Sequence, residues 1–116
     1  MDTQVPGIAV TDLSRLLDDG GSADGVVLID VREESEYVSG HAPSARLVPL
    51  QTVPEAVGTL PTDAPVYVIC HSGGRSHRAA EFLRAQGVDA VNVLGGTSAW
   101  IEAGLPVATG LSGDER

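Results

Sequence analysis

Two runs of four residues, Val26-Val27-Leu28-Ile29 and Val66-Tyr67-Val68-Ile69, constrain this chain more than any other feature. Each is apolar throughout, rich in β-branched side chains and too short for a helix, so each predicts a strand with no polar face. Such strands need cover on both sides of their sheet, and the segments between them carry helical patterning. The expected fold is therefore α/β, a parallel sheet sandwiched by helices. Ligands of such sheets sit beyond the carboxyl ends of the strands. Asp30 follows the first run and Cys70 the second, so both are expected at one site.

Thr11 opens a short helical pattern with Leu13, Leu16 and Leu17 on one side, and Gly20-Gly21 is expected to stop it. Residues 33–38 carry three glutamates and predict at most a short exposed turn of helix before Gly40-His41-Ala42-Pro43. Ala45 to Leu50 reads as a short strand, and Pro54 suits the first turn of a helix reaching about Leu60. Ser76 is placed to cap a helix running to Gln86, with Ala79, Phe82 and Leu83 on one face and Gly87 closing it. A strand around Ala90 to Leu94, a Gly95-Gly96 turn and a helix near Ser98 to Ala103 complete the pattern. The expectation is one domain over residues 1–116, with its core at about 8–107 and a polar tail at 109–116. A chain this long hides roughly 65% of its unfolded surface and needs neither a metal nor a disulfide to fold.

Seven arginines, no lysine and sixteen carboxylates give a net charge of −9. Nucleic acid and anionic membrane are disfavoured as partners, because each requires a basic face. The longest apolar runs are strand-sized and the first basic side chain is Arg15, so neither a membrane span nor a signal peptide is expected, and a cytoplasmic location follows. The lone cysteine can form no intrachain disulfide and no cysteine-based zinc cage, and no metal site is expected.

The stretch Cys70-His71-Ser72-Gly73-Gly74-Arg75-Ser76 joins the second strand to the helix, and Cys70 to Arg84 holds three arginines against one glutamate. Adjacent glycines let the backbone curl so that successive N–H groups point inward, forming an anion nest continuous with the helix N-terminus. An ordinary thiol is only about 3% ionised at neutral pH, and backbone donors, Arg75 and a protonated His71 would all raise that fraction. From the residues alone, Cys70 is either such a nucleophile or a small buried filler of the core.

The sequence resembles the rhodanese family of single-domain sulfurtransferases, from about Ile8 to Val107. The resemblance rests on Ile29-Asp30-Val31-Arg32-Glu33 with Glu36-Tyr37 and Gly40 to Ala45, on the loop Cys70 to Ser76, and on Leu94-Gly95-Gly96 with Ala99-Trp100 and Ala103 to Val107. It implies a five-stranded parallel sheet flanked by helices and a Cys70 that accepts a sulfane sulfur as a persulfide. The family's active loop maps onto Cys70, His71, Ser72, Gly73, Gly74 and Arg75, whose amides would cradle the sulfur. Asp30 matches an acidic position that helps fix the loop, and Arg32 and His41 match positions whose roles look architectural. Trp100 is expected in the core, and Arg78 and Arg84 on a solvated helix face, with Arg78, nearer the loop, the better candidate of the two for a rim contact.

The implied reaction is a double displacement in which the Cys70 thiolate takes the outer sulfur of thiosulfate or a persulfide and passes it to a thiophilic acceptor. That acceptor is cyanide, a thiol or an acceptor protein. Arg75 and His71 would orient an anionic donor, and no cofactor is needed because the sulfur rides on the cysteine. Two other classes compete. Phosphatases and arsenate reductases of the related fold place five residues between Cys and Arg, where this loop has the four from His71 to Gly74, a ring better sized for one sulfur than for a tetrahedral oxyanion. A non-catalytic binding module would gain nothing from an exposed thiol.

Overall fold

The computed structural model describes residues 4–18 and 26–111. Five parallel strands form one sheet: β1 (Gly7–Ala9), β2 (Val27–Asp30), β3 (Arg46–Leu47), β4 (Val66–Ile69) and β5 (Ala90–Leu94), in the order β1-β5-β4-β2-β3. The helices are α1 (Val10–Leu16), α2 (Glu34–Ser39), α3 (Val53–Ala56, flanked by 3-10 turns), α4 (Gly74–Ala85) and α5 (Gly96–Glu102). None is long and apolar enough to cross a membrane.

The apolar runs sort between two cores with the strand period of two. Ile29, Val66 and Val68 face one side with Ala79, Ala80 and Leu83 of α4. Leu28 and Ile69 face the other with Leu13 of α1, Tyr37 of α2 and Trp100 of α5. Pairing of Ile29 with Val68 and of Asp30 with Ile69 brings the ends of β2 and β4 level.

Several expectations are corrected. β1, from Gly-Ile-Ala, carries no readable pattern, and the sheet supplies it an edge beside β5. β3 spans only Arg46 and Leu47, and the helix expected up to Leu60 is broken into 3-10 and α turns. Leu16 and Phe82, which share the apolar sides of their helices with Leu13 and Leu83, are exposed where those two are buried. The segment at 33–38 is a helix with a reciprocal capping box between Glu33 and Glu36, and it buries Tyr37. The N–H of Gly110 donates to Val38 O at 3.0 Å, which draws the first part of the expected tail back onto the fold. The Gly20-Gly21 stop and residues 112–116 lie outside the described residues.

Candidate active site

Cys70 is the first residue past β4, and its connection to α4 is short enough to need special backbone geometry. Gly73 takes φ 113°, a conformation that costs an L side chain energy, and α4 begins at Gly74. The turn brings the Gly73 N–H to 3.1 Å from Cys70 Sγ and the Ser76 hydroxyl to 3.3 Å. Ser76, expected as a cap, instead lies inside the first turn of α4, fully buried. The helix starts earlier than its cap-like residue suggests because Gly73 alone can adopt the required turn.

Burial pushes the Cys70 thiol up, but the Ser76 hydroxyl and the N–H groups of Ser76, Gly73 and Ser72 outweigh it and leave the thiol below its ordinary value. Cys70 itself is only 1% exposed, whereas His71, Ser72 and Gly74 are exposed. The expectation of an exposed thiol is therefore corrected: the sulfur sits inside the turn that activates it. Cavities of about 360 Å³ beside His41 and about 210 Å³ beside Trp100 are lined by no residue of this loop.

Asn92 of β5, which the sequence reading passed over, completes the arrangement. Its Nδ2 donates to Gly73 O at 3.3 Å, which fixes its Oδ1 on Ser76 Oγ at 2.5 Å. Ser76 has one proton and two candidate acceptors. With a thiol, S–H can donate to Ser76 Oγ while the hydroxyl donates to Asn92; with a thiolate, the hydroxyl proton is drawn to sulfur. A polar residue in the otherwise apolar strand Ala90–Leu94 was the available signal, since buried polar groups require partners.

The loop is anchored from α5 as well. Thr97 N–H donates to Cys70 O at 2.8 Å and Ser98 N–H to His71 O at 2.9 Å. This approach leaves no room for a side chain at Gly96, where a Cβ would meet Cys70 O at 2.5 Å and His71 O at 2.6 Å. Gly96, read from the sequence as half of a turn, is thus also a close-packing residue.

Arg75 does not point a free cation at the sulfur. Its Nη1 and Nη2 donate to the two carboxylate oxygens of Glu36, each at 2.9 Å. The pair holds the Glu36 carboxyl down at about 2 and Arg75 further into its charged form. His71 makes no side-chain hydrogen bond to Cys70 among the described residues.

Asp30 and Arg32 are brought to the same end of the sheet but serve the adjoining segment. Asp30, fully buried, accepts from the Arg32 backbone N–H at 3.1 Å and from its guanidinium at 2.9 to 3.2 Å, and Arg32 Nη2 also donates to Gly40 O at 2.8 Å. Asp30 makes no hydrogen bond to the Cys70 loop among the described residues, so any help it gives the loop is indirect. It braces the connection that carries Glu36. His41 stacks on Tyr37 with ring centroids 3.6 Å apart, and its backbone bridges Ala108. Trp100 is buried, with its indole N–H on Pro106 O. Among the described residues, no cluster of acidic, histidine or cysteine side chains could hold a metal ion.

The model of the rhodanese-like domain family matches residues 9–103. A sulfurtransferase of Allochromatium vinosum is 36% identical over 85 residues, covering 72% of this chain and 79% of that protein. A thiosulfate sulfurtransferase of Pseudomonas putida is 33% identical over 78 residues, covering 66% and 71%. The crystal structure of a rhodanese-like domain protein from Staphylococcus aureus superposes with a TM-score of 0.76 at 34% identity, covering 83% of this chain and 91% of that one.

Proposed function

The chain belongs to the rhodanese-like domain family, and from that premise we propose that it is a sulfurtransferase carrying a sulfane sulfur on Cys70. The thiolate attacks the outer sulfur of a donor, the donor's S–S bond breaks, and the remainder leaves with the bonding electron pair. A thiophilic acceptor, whether cyanide, a small thiol or a protein thiol, then takes the outer sulfur and restores the thiolate. The observation that carries this reading is the convergence of the Gly73 N–H and the Ser76 hydroxyl on Cys70 Sγ, with the thiol lowered despite its burial. Amides placed for a thiolate also suit the charge of a persulfide. Ser72, Gly73, Gly74 and Ser76 form the cradle in this reading, Arg75 and His71 its rim, and Asp30 and Arg32 its support.

The phosphatase reading is weaker, because Arg75 is already paired with Glu36 and the ring has four residues between Cys70 and Arg75. The low exposure of Cys70 is the observation that favours a non-catalytic binding module. One measurement decides between that reading and the proposal. Intact mass after incubation with a sulfane donor is expected to show one added sulfur atom, removable by cyanide, and none in Cys70→Ser. Equal loading of Cys70→Ser, or no loading of the wild type, overturns the sulfurtransferase reading.

A further inference from the structure

Arg75 is the only arginine in the Cys70–Ser76 loop, and the fold commits it to an internal anion. Both terminal nitrogens of Arg75 meet both carboxylate oxygens of Glu36 at 2.9 Å. Glu36 is itself held in place, since its Oε1 also accepts the Glu33 N–H at 2.9 Å in the capping box that starts α2. Its carboxyl lies at about 2, so the pair stays ionised throughout the neutral range. The Cys70 thiolate, on the same loop, adds to the charges that hold Arg75 in its charged form. The neighbouring Arg32 is buried and consumed by Asp30. A donor approaching Cys70 therefore meets a cation already cancelled, on a chain of net charge −9.

We propose that Glu36 sets the donor class: by holding Arg75 it disfavours dianionic thiosulfate and directs the site to a singly charged persulfide of a thiol. This inference rests on the sulfurtransferase reading above. With a persulfide anion, a bond forms between Cys70 Sγ and the outer sulfur, the donor's S–S bond breaks, and a thiolate departs with the electron pair. One negative charge enters with the donor and one leaves. With thiosulfate the same displacement brings in two negative charges and releases sulfite with two, which calls for an uncancelled cation at the mouth of the loop. Glu36 acts through Arg75 and touches no reacting atom, so it is a positioning residue that determines specificity.

The test measures second-order rates of Cys70 persulfide formation by intact mass, using thiosulfate and mercaptoethanol persulfide as donors. Glu36→Gln keeps a side chain able to complete the capping box while removing the charge. Removing one unit charge from the path of a dianion in partly screened surroundings is expected to raise the thiosulfate-to-persulfide rate ratio roughly five- to tenfold. Adding Arg75→Ala to Glu36→Gln is expected to erase the rise. A purely structural loss would slow both donors together and leave the ratio alone. Should Glu36→Gln fail to fold, Glu36→Ala combined with Arg75→Ala decides, because it removes the pair at unchanged net charge: a ratio within about twofold of wild type supports the inference, and a larger fall overturns it, because Arg75 would then have been serving thiosulfate all along. Loading by both donors with a ratio unmoved by Glu36→Gln overturns this inference and leaves the sulfurtransferase reading standing. No loading by either donor in the wild type overturns both.

Discussion

Gly96→Ala tests whether the Cys70 loop depends on a close backbone contact with the start of α5. At Gly96 φ is +60°, which costs an L residue about 1 kcal/mol by itself. The new methyl would stand 2.5 Å from Cys70 O, 2.6 Å from His71 O and 2.7 Å from His71 C, all backbone atoms with no rotamer to change. Relief requires the loop to withdraw from α5, stretching the Thr97 and Ser98 N–H bonds to Cys70 O and His71 O, now 2.8 and 2.9 Å. Two weakened hydrogen bonds at about 1 kcal/mol each, added to the backbone cost, give a destabilisation of about 3 kcal/mol. The same withdrawal pulls Cys70 out of register with the Gly73 N–H and the Ser76 hydroxyl, so the thiol should rise toward its ordinary value. Urea denaturation reads the first effect, and the pH dependence of alkylation by iodoacetamide reads the second. Gly58→Ala is the control, since a Cβ there meets nothing within 4 Å, and its stability should stay within about 0.5 kcal/mol of wild type. If Gly96→Ala denatures at the same urea concentration as Gly58→Ala and keeps the wild-type alkylation profile, the contact does not hold the loop.

Ser76→Ala removes a donor to sulfur that holds the thiol down, so the Cys70 thiol should rise toward its ordinary value in the alkylation profile; an unmoved profile would show that the backbone amides suffice. The Glu36–Arg75 pair should lend stability with a defined pH window. Because the Glu36 carboxyl is lowered from 4.5 to about 2, its contribution is complete above about 4.5 and is lost as the pH falls toward 2. Both side chains are about a third exposed, at 36% and 34%, so solvent screening limits the effect to roughly 0.5–1 kcal/mol. The stability difference between wild type and Glu36→Gln, followed by urea denaturation, should shrink across that interval, and a constant difference would refute the assignment.

Features set by neighbouring residues were legible in the sequence. The runs at Val26–Ile29 and Val66–Ile69 announce buried strands because an unbroken apolar strand has no alternative environment, and chain order then places Asp30 and Cys70 at their tips. Glycines after Cys70 announce a tight turn, because only glycine takes the left-handed backbone that Gly73 adopts. Tertiary structure decided the partners. Arg75 could have paired with any of sixteen carboxylates, and only the packing of α2 beside the loop selects Glu36. Ser76 has the composition of a helix cap, yet its position facing β5 turns its hydroxyl toward Cys70 and Asn92. The room at Gly96 and the burial of Cys70 likewise depend on how closely α5 approaches the end of β4. Periodicity and backbone propensity act over a few residues and are written locally. The satisfaction of a buried polar group or a charge depends on which distant segment the fold brings within about 3 Å, and no local pattern carries that information.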